Sequence, residues 1–537
     1  MLSSKKPVKK VAAVGAVAVA AVGAVASKSS DSVAKPLFDF PKGARTLTQK
    51  GYSILKSALG KEQDAWIRTN LTVKPVAPPP YDKGLASFPV YFESTERLYV
   101  PRSWGEKQFG EPDADTRSDG DSLRGDLSFK GKLRDEQMPI VNTFLASDAN
   151  GLICVPCGYG KTFMAIWLAL KLGKRFMVVV HKEFLLSQWK RELENCVPGI
   201  RLGTVQGPLC QIGPEYDGVL VMIQSLCSET RAYSADTFKG FGFAVFDECH
   251  HLGAEFFSRS LIRIQCKHML GLSATPDRTD GLSKIFLWFL GPVAYQIKTR
   301  EADETVRVIT YRFEAKAPEF TKTPTNFKGE VIRARLLNQI AEFKPRTKYL
   351  GLKLIEFVKE GRKLLILSDR LGHLNDFETE FKEGGITDVG YYVGGMKQAA
   401  LDLSEKKAVI LATYAMAAEA MNIPALNTIL LATPKSNIEQ SVGRILREKK
   451  EVRKFSPLIL DVLDHQHKGF IGQYNRRRKF YKTCGYKVYM CDFGQDAVDF
   501  SSDDGDNGGS GDNGSSGDNE IVHEDDVVAT ECLLQDE

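Results

Sequence analysis

Asp247-Glu248-Cys249-His250 closes the apolar run Phe243-Ala244-Val245-Phe246, and a glycine-rich loop, Val155-Pro156-Cys157-Gly158-Tyr159-Gly160-Lys161-Thr162, follows another apolar run upstream. These residue types in this order suit hydrolysis of a nucleoside triphosphate held with magnesium. Gly158 and Gly160 let backbone N–H groups approach phosphate oxygens, and a helix starting near Lys161 turns the favourable end of its dipole toward them. Lys161 is expected to reach the β- and γ-phosphates, and the Thr162 hydroxyl to ligate Mg²⁺. Asp247 is expected to hold Mg²⁺ directly or through water, and Glu248 to polarise the attacking water. Two carboxylates at a strand terminus are costly unless a metal or hydrogen bonds balance them, which favours chemistry over packing. His250 is expected to link this box to Ser273-Ala274-Thr275, whereas the adjacent His251 reads as a surface or packing histidine. Cys249-His250-His251 lacks a second ligand set for zinc, and Cys154 and Cys157, a C-x-x-C inside the phosphate loop, read as packing residues.

These groups need strand ends to stand on. Apolar runs at 151–155, 176–180, 219–223, 243–246 and 269–272 alternate with helical stretches such as Phe163–Leu172, and a second series follows at 364–367, 409–411, 429–431 and 458–462. Buried parallel strands alternating with helices predict an α/β fold of tandem doubly wound sheets. The organisation expected is a basic low-complexity arm and linker over 1–85 and a small module over 86–130. A first α/β domain follows over 131–297, a linker over 298–340, a second domain over 341–495 and an acidic tail over 496–537.

The charge is uneven. The chain of 537 residues has a net charge of +5, yet the tail from Asp496 onward holds fourteen acidic residues and no Lys or Arg. The remaining body is strongly basic, as a polyanionic partner would require. The tail is Asp-, Gly-, Ser- and Asn-rich and cannot bury enough apolar surface to offset its ordering entropy. Lys5, Lys6, Lys9 and Lys10 precede a run from Val11 to Ala26 made only of Ala, Val and Gly. It mimics a secretory leader, but it is short for a membrane span and has no Leu, Ile or Phe, so a flexible arm without stable membrane association is expected. Ten cysteines without regular pairing point to a reducing compartment, cytoplasm or nucleus.

Further motifs carry a resemblance. Leu133-Arg134-Asp135-Glu136-Gln137 precedes the phosphate loop; Ser273-Ala274-Thr275-Pro276 runs on to Arg278, Asp280 and Gly281. Ala412-Thr413-Tyr414 leads to Ile423-Pro424, and Gln440-Ser441-Val442-Gly443-Arg444-Ile445-Leu446-Arg447 follows. Over residues 88–490 the chain resembles superfamily 2 helicases of the DEAD/DEAH-like type, in the XPB-like branch, with counterparts in large eukaryotic DNA viruses. The resemblance implies two RecA-like domains with ATP and Mg²⁺ in their cleft and Gln137 on the adenine. It implies a role for Thr275 and Gln440 beside His250 and Ser273 in coupling, and host cytoplasm or virion as the location of a viral member. A small apolar residue is usual in that family where Val155 replaces the first glycine of the commoner loop pattern. Glu419-Ala420-Met421-Asn422 departs from the family's Glu-Gly-x-Asp, which opens the question of altered coupling.

Arg444 and Arg447, three residues apart, would project from one helix face and reach across a cleft to stabilise transition-state charge, an effect worth about 10³–10⁵ in rate. By the same resemblance, nucleic acid would meet His181, Lys182 and Gln188, then Gln224 and Ser225, then Ser368, Asp369 and Arg370. Arg476-Arg477-Arg478-Lys479 is either a further grip on a backbone or a solvated helix face. The expected function is ATP-driven movement along nucleic acid or its unwinding, 3′ to 5′, on DNA rather than RNA, alongside transcription or repair proteins. The alternatives are an RNA or RNA–DNA hybrid remodeller and an assembly factor with weak turnover.

Overall fold

The computed structural model describes residues 38–76, 85–228, 233–297, 302–492 and 497–499, apart from 157, 235, 254, 265, 275, 277, 279, 420, 422 and 449. The Ala/Val/Gly run, Pro78–Pro80 and the tail from 500 lie outside the described residues, as do Cys157, Thr275, Ala420 and Asn422.

Two eight-stranded sheets carry the fold. The first runs in the order Leu209–Cys210, Leu202–Gln206, Gly218–Met222, Phe176–Val180, Phe243–Phe246, His268–Ser273, Asn150–Cys154, Val293–Gln296. All its neighbours are parallel except the hairpin edge at Leu209–Cys210. Phe176–Val180 and Phe243–Phe246 are buried along their whole length, as strands covered on both faces must be. The second sheet runs Val389–Tyr392, Val409–Ala412, Leu364–Leu367, Thr428–Leu431, Leu458–Leu463, Arg307–Arg312, Lys487–Asp492, Ala497–Asp499. It too is parallel but for its last strand. The tandem doubly wound α/β architecture expected from the apolar runs is what the chain adopts, and it is the RecA-like pair that the resemblance implies.

Three expected boundaries need correction. Residues 38–76 are not linker: Arg45–Thr48, Gly51–Leu55 and helix Lys61–Asn70 join Arg97–Val100 in an N-terminal module of their own. Leu47, Tyr52, Ile54, Ile67, Leu71 and Leu98 form its core, an apolar set large enough to hold short elements together. Residues 298–340 are not simply a crossover either. Arg307–Arg312 lies inside the second sheet between Leu458–Leu463 and Lys487–Asp492, with Val308, Ile309, Thr310 and Tyr311 buried. Ala497–Asp499, assigned to the acidic tail, pairs antiparallel with Lys487–Asp492.

One arginine fastens the N-terminal module to the first sheet. The Arg102 guanidinium is buried, and the backbone carbonyls of Phe289, Leu290, Cys266 and Lys267 and the Asn150 Oδ1 accept its hydrogen bonds at 2.6–3.3 Å. Burial lowers its pKa to about 9, so it remains charged at neutral pH. Trp104, two residues on, meets Trp288 edge-to-face at 6.5 Å. Arg102→Met keeps the stem but strands several buried acceptors, and should destabilise the chain by about 3 kcal/mol. Thermal unfolding with limited proteolysis checks this; an unchanged transition and digestion pattern would contradict it.

Candidate active site

In open α/β sheets ligands bind outside the carboxyl ends of the strands. The phosphate-type loop leaves the end of Asn150–Cys154, and the carboxylate pair leaves the end of Phe243–Phe246. His268–Ser273 lies between them, with Ser273 in register with Cys154 and Val155 N donating to Ser273 O at 3.2 Å. Topology thus brings three sequence-distant segments to one sheet edge.

The loop is held in a conformation only glycines tolerate easily. Gly158 and Gly160 have φ of 88° and 78°, and Gly160 caps helix Lys161–Leu172 in the left-handed region. A Cβ on Gly160 would stand 2.5 Å from Gln137 Nε2. Gln137 itself is buried: its Nε2 donates to Tyr159 O at 2.7 Å, and its Oε1 accepts from Arg134 N at 2.9 Å. Arg134 Nη2 also donates to Tyr159 O at 2.9 Å. Pro156 O accepts from Tyr159 N, and Val155 is fully buried with its carbonyl accepting from Lys161 Nζ at 3.3 Å. Lys161 and Thr162 open the helix, and Cys154 is buried at the strand end.

The acidic box is tightly supported. Asp247 Oδ1 accepts from Glu248 N at 3.0 Å, and its Oδ2 accepts from Trp189 Nε1 at 2.8 Å. Burial raises the Asp247 pKa and the neighbouring Glu248 charge adds to this, while the Trp189 hydrogen bond and Lys161 oppose them. Glu248 has φ of 46°, an unusual value for a residue with a side chain. Its Oε2 is buried without a hydrogen bond among the described residues and lies 3.4 Å from His250 Nδ1. His250 Nδ1 is also 3.1 Å from Ser273 Oγ, and His250 O accepts from Arg278 Nη1 at 2.5 Å. Arg278 in turn makes a two-point ion pair with Asp280. His251 lies between His181 and His250, with ring centroids 4.0 and 4.3 Å away and the rings tilted by 34° and 37°. A buried carboxylate oxygen with no hydrogen bond among the described residues, beside a second buried carboxylate that Lys161 acts on, is an arrangement suited to a divalent cation and a polarised water.

Trp189 was not legible as part of this site. It lies on the amphipathic helix Glu183–Cys196, where a tryptophan reads as core, and it is indeed buried there. The same helix touches the second sheet: Phe184 packs against that sheet's core cluster, and Arg191 bears electrostatically on Glu405.

In the second unit Gln440 lies in a helix of only four residues, Glu439–Val442. The expectation that Arg444 and Arg447 share a helix face is therefore corrected. Gly443 ends the α-helix, and Arg444 N and Ile445 N reach back three residues, to Ser441 O and Val442 O, in tight turns. Arg444 is buried, with Nη1 donating to Met421 O at 2.6 Å. The basic run at 476–479 divides: Arg477 is buried on Asp461 at 2.8 Å, so it is a structural ion pair, whereas Arg476 and Lys479 are exposed. Gln224 and Ser225 line an open crevice of about 610 Å³ with Gln206, Gly207 and Met222, and Gln224 Nε2 donates to His181 O at 2.8 Å. Ser368 Oγ lies 3.2 Å from His373 Nδ1, Asp369 pairs with Lys435 at 2.9 Å, and Arg370 Nε donates to Asn338 Oδ1 at 2.6 Å.

Comparison with known proteins gives the chain's relatives. Residues 130–278 match the family described as type III restriction enzyme, res subunit. A protein of Acanthamoeba polyphaga mimivirus named "Putative ATP-dependent RNA helicase" is 32% identical over 456 residues, covering 82% of this chain and 86% of its own. An African swine fever virus protein of the same name is 29% identical over 359 residues, covering 62% and 69%. A solved structure of a DNA-bound ATP-dependent Type ISP restriction-modification enzyme overlays with a TM-score of 0.46 and 15% identity, over 68% of this chain and 32% of that one.

Trp189→Phe preserves the packing and removes the donor to Asp247. Nucleotide turnover should fall roughly 10-fold, the scale of losing about 1.4 kcal/mol of hydrogen bonding to a charged group. The melting temperature should change little. Unchanged turnover would show that the indole N–H does not orient the carboxylate.

Proposed function

This chain belongs to the superfamily 2 helicases that include those of large DNA viruses, ATP-hydrolysing enzymes built on two RecA-like units, and we propose that it moves along or unwinds DNA. The observation that carries the reading is the meeting of Lys161, Asp247, Glu248, His250 and Ser273 at neighbouring strand ends. In this reading the backbone N–H groups of residues 158–160 cradle the phosphates, Lys161 neutralises their charge, and Gln137 fixes the loop through Tyr159 O while facing the base. Thr162 and Asp247 would hold Mg²⁺, which when bound supplies positive charge to the phosphate oxygens. Glu248, whose Oε2 has no hydrogen bond among the described residues, orients and polarises the attacking water. Arg444 and Arg447 complete the site from the second unit when the two approach, and Gln440 shares that edge. His250 relays the state of the Glu248 carboxylate to the Ser273–Thr275 segment, and helix Glu183–Cys196 connects Asp247 to the second sheet.

DNA is favoured by the Ser273–Gly281 segment. Its extension, pinned by Arg278 to His250 O and to Asp280, resembles the XPB-like branch, and the Asp-Glu-Ala-Asp of DEAD-box RNA helicases is absent. The expected polarity is 3′ to 5′, and proteins of transcription or repair are the expected partners. RNA is the second reading, because both viral relatives carry RNA helicase names.

ATP hydrolysis measured with single-stranded DNA, duplex DNA and RNA tests this. DNA should stimulate turnover more than RNA, and Lys161→Ala should lower the stimulated rate by roughly 10²–10³-fold. Stimulation by RNA alone would overturn the DNA assignment; turnover indifferent to any nucleic acid would overturn the motor.

A further inference from the structure

Phe327 is 94% exposed, the most exposed large apolar side chain among the described residues. It stands at the tip of a hairpin over 324–332 that leads into helix Arg333–Glu342 of the second unit. The hairpin is short yet firmly built. Thr325 pairs with Val331, Asn326 N donates to Glu330 O at 2.8 Å, and Ile332 N donates to Pro324 O at 2.9 Å. Asn326 organises the tip: its Oδ1 accepts from Lys328 N and Glu330 N, and its Nδ2 donates to Glu330 Oε2 at 2.8 Å. Gly329, at φ of 78°, closes the turn with Gly329 N donating to Asn326 O. At the base, Gln339 Nε2 donates to Phe320 O and Lys322 O. A chain that spends this many hydrogen bonds on a tip holds the ring in place rather than letting it collapse onto the body.

The surroundings indicate what the ring meets. The Lys328 ammonium lies 5.7 Å from the Phe327 ring centroid, and Arg333 is exposed where the hairpin joins the helix. Beside the hairpin runs an open crevice of about 560 Å³, with Pro324 in its wall and Lys322, Arg335 and Asn338 along it, as well as Glu319 and Glu342. Asn338 carries the crevice to Arg370, whose Nε it accepts at 2.6 Å. An isolated exposed aromatic ring flanked by cations suits an unpaired base, which offers a π-face to the ring and a phosphate to the cations.

We propose that the hairpin over 324–332 binds an unpaired nucleic-acid strand, Phe327 stacking on a base while Lys322, Lys328 and Arg335 hold the adjacent backbone phosphates. The proposal rests on the nucleic-acid reading above and deepens it by naming the residues that would hold the unpaired strand. Fluorescence anisotropy on the full chain tests it, with a single-stranded DNA oligonucleotide, the RNA of the same sequence and the blunt DNA duplex as probes. Phe327→Ala should weaken single-strand binding roughly 10-fold and leave duplex binding within 2-fold, while Phe327→Trp should restore the single-strand affinity. The DNA and RNA arms tell which strand the tip prefers. Wild-type affinity for both single strands in Phe327→Ala overturns the proposal and leaves the helicase reading standing. Absence of binding to all three probes by the wild-type chain overturns both.

Discussion

Two adjacent carboxylates at the mouth of a fully buried strand repel one another and lose hydration, and the first sheet is arranged around tolerating them. Asp247 is met by the Trp189 indole and by Glu248 N, with Lys161 near enough to oppose the rise in its pKa. Glu248 accepts a left-handed backbone, a conformation that costs of order 1–3 kcal/mol and persists only where the surroundings over-determine it. Removing the charge of either partner would relieve the repulsion, and their placement side by side suits the proposed cation and polarised water, which would use both. The tilted histidine rings at 181, 251 and 250 fill the space next to them with groups that can donate, accept or simply pack.

The same economy governs the second unit. Arg346 and Asp464 form an ion pair with both side chains at zero exposure, and Arg346 also donates to Ala432 O. Arg477 and Tyr481 both reach Asp461 Oδ2 at 2.8 Å. Breaking a buried pair by removing one partner strands the other charge at a cost of several kcal/mol, so such pairs fix the strand ends from which the loops of this unit spring. Arg444 is thereby anchored through Met421 O rather than free on a helix surface. Helix Glu183–Cys196 is the physical link between the two halves, holding Asp247 through Trp189 and meeting the second core through Phe184.

Much of this could be read from residue order. Strands hydrophobic on both faces announce themselves as runs such as Phe176–Val180 and Leu364–Leu367, and the glycines at 158 and 160 just before Lys161-Thr162 mark the turn that only they make easily. What escaped reading did so for physical reasons. Arg307–Arg312 has charged ends and follows a charged stretch, so its inner-strand position is set by tertiary pairing rather than by pattern. The elements over 38–76 are short and stabilised by contacts with residues near 100, which no local window contains. The burial of Arg477 depends on Asp461, sixteen positions away on another element. Trp189 looked like core because it is core, and its one polar atom happens to face Asp247. The hairpin at 324–332 lies where charged and polar residues suggested a mere connection.

If Glu248 polarises the attacking water, the site should bind nucleotide independently of that carboxylate. Nucleotide affinity and nucleic-acid-stimulated hydrolysis, measured together on Glu248→Gln, separate the two. Affinity within a few fold of the unmodified chain, with hydrolysis reduced roughly 10²-fold or more, is the result expected. Hydrolysis at the unmodified rate would contradict the central claim.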